Sequence, residues 1–141
     1  MPAALRLLVR FVHLVGMAVL LLGPAFAWHA LRTDRQWYPP SRQHERLFWG
    51  TVGAVLVTGV GNVAALGAPG PETRWGALLI LKLSLVLLLL LLSFLRSLAV
   101  VRLRAHESRH DEAPALLRRS YAATTGLVLG IVAVAEVLAH G

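Results

Sequence analysis

The sequence predicts an all-α integral membrane protein, an antiparallel four-helix bundle, and three observations lead to that prediction. Hydrophobic residues make up 57% of the 141 residues and charged residues 15%, with a mean hydropathy of +0.66, whereas a soluble domain carries about 25% charged residues. Four apolar segments each reach the roughly twenty residues that cross ~30 Å of hydrocarbon. The connections between them are short, so we expect residues 1–141 to form a single transmembrane domain.

The predicted helices span about 5–31, 47–66, 76–101 and 116–139. The first segment is too long for the apolar region of a signal peptide and contains Arg10 and His13, so we expect it to be retained as a helix. Pro39-Pro40 is expected to stop any helix in the first connection. The second connection is a turn rich in glycine and proline, and the third is rich in charged residues.

The basic residues indicate the orientation of the helices, since cytoplasmic connections carry an excess of lysine and arginine. Ten arginines lie toward one side: Arg32, Arg35, Arg42, Arg46, Arg96, Arg102, Arg104, Arg109, Arg118 and Arg119. Three lie toward the other: Arg6, Arg10 and Arg74. We therefore expect a multi-pass protein of the cell (inner) membrane with both termini outside. The net charge of +7 reflects this topology rather than a nucleic-acid partner.

Small residues recur at spacings of three and four on two of the helices. Close backbone approach through such stripes is a main source of packing between membrane helices. We expect both stripes to be packing surfaces. They comprise Gly50, Ala54, Thr58, Gly61 and Ala65 on the second helix, and Ala122, Gly126 and Gly130 on the fourth.

Lys82 is the most informative residue because it interrupts the apolar run of the third helix. An ammonium near the centre of a membrane helix costs roughly 2.5–3.5 kcal/mol. An ionisable residue inside a span is therefore a functional hypothesis that calls for a partner. The alternative is a lysine that extends its side chain to the nearer interface and has no further role.

Depth along the predicted helices places a polar group from each helix within the outer ~12 Å of the bilayer. These groups are His13, Asn62, Lys82, Glu136 and His140, with Arg10 one turn above His13 and Met17 one turn below it. One interpretation is a structural Glu136–Lys82 pair beside a core histidine. The other is a site open to the outer face. There His13, Glu136 and His140 would ligate a metal, His13 and Lys82 would contact a cofactor, and Arg10, Met17 and Asn62 would support them.

The chain has no cysteine, so a metal would depend on histidine, carboxylate or methionine. A second set of histidines lies toward the predicted cytoplasmic side: His29, His44, His106 and His110. His106 and His110 are four residues apart beside acidic residues, a spacing that can hold a metal. Solvated loop residues have the same pattern, and that interpretation is favoured for this set. No residue is singled out as catalytic.

Three short segments resemble the copper-resistance D (CopD) membrane domain: Thr58–Val60, Arg74–Leu83 and Leu116–Ser120. The resemblance covers roughly residues 46–139 and implies a four-helix membrane domain that handles copper. The first helix, at Phe11–Gly16 with Gly23 farther on, is similar to that of the HemJ-type protoporphyrinogen oxidases. This second resemblance implies haem b bound through the histidine, with a lysine on the third helix that matches Lys82.

Three functions therefore stay open at this point. The leading one is a copper-handling membrane component without catalysis, which binds or transports the ion near the outer face. The second is a haem b protein that performs redox chemistry, so enzymatic activity is left open. The third is an accessory subunit of a membrane complex. Besides the lipid bilayer, self-association or a partner in a membrane complex is expected for so small a bundle.

Overall fold

A computed structural model describes residues 2–33, 38–67, 70–105 and 113–140 of the chain. This part of the chain forms four α-helices: α1 (Ala3–Thr33), α2 (Tyr38–Leu66), α3 (Arg74–Ala105) and α4 (Ala113–His140). Each helix is long and apolar enough to cross a membrane. The predicted all-α membrane bundle is therefore confirmed.

The start of α2 differs from the prediction, because the helix begins at Tyr38 and not near residue 47. Pro39 and Pro40 do not stop a helix here; they lie in its first turn. The backbone N–H groups of a first turn have no partner within the helix, so the missing N–H of proline costs nothing there. The expectation that His44 lies in a loop is consequently wrong, since His44 is part of α2 and buried.

The helices pack in a ring that follows the order of the chain. α1 packs against α2 and α4, and α3 packs mainly against α4, with a slighter contact between α2 and α3. Two clusters of buried apolar side chains fill the interior. One comprises Ala27, Leu31, Val100, Leu103, Leu117 and Tyr121. The other comprises Leu20, Phe48, Val52, Leu89, Val128 and Ile131.

The close approaches between helices occur at other glycines than those of the predicted stripes. No atom of another element lies within 4 Å of a Cβ built on Gly50, Gly61, Gly126 or Gly130. The glycines at the α1–α2 contact are Gly16, which meets the side chain of Val55, and Gly59, which meets the ring of His13. The packing role predicted for these stripe glycines is therefore wrong, although Thr58 of the same stripe does contact α1.

Candidate functional sites

His13 is held by a hydrogen bond across the α1–α2 contact. Its Nδ1 lies 2.9 Å from Oγ1 of Thr58, and that hydroxyl lies 2.8 Å from the carbonyl oxygen of Ala54. A hydroxyl has one proton, and a carbonyl can only accept, so Thr58 donates to Ala54 and accepts from the N–H of His13. Nδ1 therefore carries the imidazole proton, and Nε2 retains a lone pair that can bind a metal.

Lys82 faces the same region from α3. Its side chain is half-buried, and its ammonium is close enough to act electrostatically on the imidazole of His13. The effect of the protein on Lys82 itself is desolvation by burial. The structure thus brings His13 and Lys82 into one electrostatic environment. Thr58, which the sequence analysis did not include among the site residues, holds His13 there.

The remaining predicted site residues lie on α1, α2 and α4. Met17 is half-buried one turn along α1 and packs against the second apolar cluster. Asn62 is half-buried on α2, whereas Arg10 and Glu136 are exposed on α1 and α4. The side chain of His140 lies outside the described part of the chain.

A second polar site, which the sequence analysis did not identify, is an ion pair inside the bundle. Arg96 of α3 donates from Nε to Oε1 of Glu45 at 2.7 Å and from Nη2 to Oε2 at 3.4 Å. Arg96 is 3% exposed and Glu45 8% exposed. The guanidinium also donates to the hydroxyl of Thr124 and lies over the rings of Phe48 and Tyr121, 4.9 and 5.0 Å from their centroids.

The Glu45 carboxylate accepts further hydrogen bonds from three helices. Tyr121 of α4 donates to Oε1 at 3.3 Å, Ser97 of α3 donates to Oε2, and His44 of α2 lies with Nδ1 3.3 Å from Oε1. Trp49 completes the set by donating to the Ser97 hydroxyl at 2.9 Å. Charges inside a membrane bundle persist when they are paired and hydrogen-bonded in this way. We call this set of side chains the Glu45–Arg96 centre. It comprises His44, Glu45, Phe48, Trp49, Arg96, Ser97, Tyr121 and Thr124.

One member of this centre, Arg96, stands out in the sequence, but its position suggests a different role. Arg96 follows the apolar run of α3, which is typical of an arginine at the cytoplasmic interface. The structure places it inside the bundle, so it does not belong to the count of cytoplasmic arginines, and nine arginines remain against three. The signal that identifies the centre is the pair itself, an arginine and a glutamate that both lie within helices of membrane-spanning length.

The second set of histidines divides in the structure. His29 is exposed near the end of α1, as expected of a solvated residue, whereas His44 is buried in the Glu45–Arg96 centre. His106 and His110 lie outside the described residues. Over the ranges 2–33, 38–67, 70–105 and 113–140, no group of three or more histidine or acidic residues converges as a metal site.

Cavities lie along the described helices. One of about 520 Å³ lies between α1 and α2 and is bordered by His44. One of about 40 Å³ lies in the apolar interior, and one of about 230 Å³ lies between α3 and α4 beside Arg96. None of these three cavities is lined by His13 or Lys82.

Comparison with known proteins adds a family. Residues 39–138 match the family model of copper resistance protein D, which covers α2, α3 and nearly all of α4. The chain therefore belongs to the copper resistance protein D family. Thr58, Lys82 and the Glu45–Arg96 centre lie inside the matched region, and His13 precedes it. No curated protein and no solved structure matches the chain.

Proposed function

We propose that this protein handles copper at the membrane and that His13 is the ligand through which it does so. The observation that supports the proposal is the hydrogen bond from Nδ1 of His13 to Thr58, which leaves Nε2 as a free donor atom in a member of a copper-resistance family. A histidine fixed through its other nitrogen is the usual form of a metal-binding imidazole.

The neighbouring donor atoms favour Cu(I). Met17 follows His13 by one turn, so its thioether sulfur shares a face of α1 with the imidazole. Thioether and imidazole donors suit Cu(I), which tolerates two-coordinate sites and so does not need the three convergent ligands that Zn²⁺ or Cu²⁺ would. Asn62 of α2 is the nearby polar residue that would support such a site.

Lys82 makes this site suited to passing a copper ion on and not to storing it. A positive charge near His13 opposes the binding of a cation, which lowers the affinity and speeds release. Conduction requires a site that is favourable enough to enter and weak enough to leave. We therefore assign Lys82 the role of limiting the affinity of the copper site, and not of a ligand.

The proposed site lies toward the outer face of the inner membrane, as the distribution of arginines suggests. Glu136 and His140 on α4, with Arg10 on α1, would lie at its outer entrance and make the first contact with the ion. The lipid bilayer is the environment of the four helices, and a second copy or a partner protein would complete a longer transfer path.

The test is the Cu(I) affinity of the purified protein, measured by competition with bathocuproine disulfonate. The wild type should compete for Cu(I), and His13→Ala should lose that competition. His29→Ala, an exposed histidine on the same helix, is the matched control and should bind as the wild type does. Far-UV circular dichroism checks that each variant retains its helices.

Two results would assign a different function. A Soret band in the purified wild type that disappears in His13→Ala would identify the protein as a haem b protein, since the same free Nε2 can ligate haem iron. A wild type that neither competes for Cu(I) nor shows a Soret band would leave the role of an accessory subunit.

A further inference from the structure

The cavity of about 520 Å³ between α1 and α2 has the features of a binding site that is separate from the copper site. Its volume lies within the roughly 300–1,000 Å³ of small-molecule sites. Its lining is apolar apart from His44 and Gln43, and includes Leu22, Gly23 and Phe26. Phe26 is 78% and Leu22 63% exposed on the outer surface of the helices, so the cavity opens toward lipid. A ligand would enter it from the bilayer.

His44 presents one defined atom to this cavity. Its Nδ1 lies 3.3 Å from the Glu45 carboxylate, which Arg96 holds as an anion and which can only accept hydrogen bonds. The imidazole proton is therefore on Nδ1, and Nε2 carries the lone pair. A Cβ built on Gly23 would lie 3.6 Å from that Nε2. The same Cβ would lie 3.6 Å from Cδ2, so the absent side chain of Gly23 leaves a small space beside this edge of the imidazole ring.

This geometry defines the chemistry of the ligand. Nε2 is an acceptor, so the ligand must offer a hydrogen-bond donor. A Cβ built on Gly23 would lie 3.6 Å from Nε2, so the space beside this atom is narrow and suits a small group such as a hydroxyl. A phenolic hydroxyl, with a pKa near 10, is a stronger donor than the alcohol of a lipid or sterol. The Glu45 carboxylate behind the ring strengthens the acceptor by stabilising positive charge on the imidazole.

We propose that this cavity binds the ring of a lipid-soluble hydroquinone, an isoprenoid quinol, whose hydroxyl donates to Nε2 of His44. The space left by Gly23 receives the hydroxyl group. The apolar lining that includes Leu22 and Phe26 contacts the ring and the first part of the tail. The remainder of the tail extends into the surrounding lipid. The proposal does not depend on copper binding at His13, because the two sites share no residue.

The experiment is a calorimetric titration of the purified protein, in detergent and under reducing conditions, with a short-chain ubiquinol analogue. The dimethyl ether of the same compound has nearly the same shape but no hydroxyl donor. We expect the wild type to bind the quinol and to bind the ether about tenfold or more weakly, which is the effect of losing one hydrogen bond in an apolar site.

Two variants locate the site. Gly23→Ala adds a methyl group in ordinary van der Waals contact with His44, so the helix should fold normally while the space beside Nε2 is filled. We expect quinol affinity to fall about tenfold or more in Gly23→Ala and in His44→Leu. Gly53→Ala on α2, where a Cβ meets nothing within 4 Å, is the control and should retain the wild-type affinity.

Three results would overturn the proposal. They are no quinol binding by the wild type, equal affinity for quinol and ether, and wild-type affinity in Gly23→Ala. Equal affinity for the two compounds would mean that the cavity accepts apolar molecules such as lipid chains without using His44.

Discussion

Replacing Glu45 with glutamine should leave the Arg96 guanidinium without its counter-ion in the interior of the bundle. The carboxylate accepts two hydrogen bonds from Arg96 and others from Tyr121, Ser97 and His44. Removing one partner of a buried ion pair costs about 3–5 kcal/mol. Because whole proteins are stable by only about 5–15 kcal/mol, this single change should remove a large part of the free energy of unfolding.

Removing both charges should cost less than removing one. In the double variant Glu45→Gln/Arg96→Met no unpaired charge remains, and replacing a buried pair by uncharged residues is often close to neutral. The single amide oxygen of the glutamine still accepts a hydrogen bond from Tyr121 or from Ser97, and its NH2 group, which takes the place of the other carboxylate oxygen, can donate to the hydroxyl beside it. We expect a loss of roughly 2 kcal/mol or less, so the double variant should be more stable than Glu45→Gln alone.

The assay is unfolding in mixed micelles of increasing SDS content, followed by tryptophan fluorescence and far-UV circular dichroism. Glu72→Gln, at an exposed position outside the helices, is the control and should change the free energy of unfolding by about 0.5 kcal/mol or less. If the effects of Glu45→Gln and Arg96→Met simply add in the double variant, the two residues do not act as a pair and the reasoning is refuted.

Three other changes should have measurable effects. Gly16→Ala should lower the free energy of unfolding by about 1–3 kcal/mol because the added Cβ overlaps the side chain of Val55 on α2. Gly126→Ala should leave it unchanged, and equal stability of the two variants would contradict the described packing of α1 against α2. Lys82→Met should raise the Cu(I) affinity about tenfold, since a unit charge at an effective dielectric near 20 contributes on the order of 1–2 kcal/mol. An unchanged dissociation constant for Cu(I) would show that Lys82 does not limit the affinity of the copper site. Alkaline phosphatase should be active when fused after Gly141 and inactive after Arg109, and the reverse would invert the orientation.

The helices could be predicted from the sequence because apolar length alone defines a membrane span. The error at the start of α2 arose from Pro39 and Pro40, which end a helix when they lie in its interior but are tolerated in its first turn. Sequence does not reveal which of these positions a proline occupies when polar residues such as Arg42 and His44 follow, since those residues also fit a solvated loop.

The two polar sites differed in how far sequence could predict them. Counting residues from the helix ends placed His13 and Lys82 at similar depth, and the structure brings them close enough to interact electrostatically. Depth does not give the rotation of a helix about its axis, so the hydrogen bond to Thr58 could not be derived. The pairing of Glu45 with Arg96 joins residues 51 positions apart and depends on tertiary packing that no local pattern encodes.

The most direct test of copper handling at His13 is X-ray absorption spectroscopy of the Cu(I)-loaded protein at the copper edge. The proposed site predicts one imidazole nitrogen and one thioether sulfur in the coordination shell, with the sulfur contribution lost in Met17→Leu and the imidazole contribution lost in His13→Ala. An imidazole signal that persists unchanged in His13→Ala would show that the ion is bound elsewhere and would contradict the proposed site.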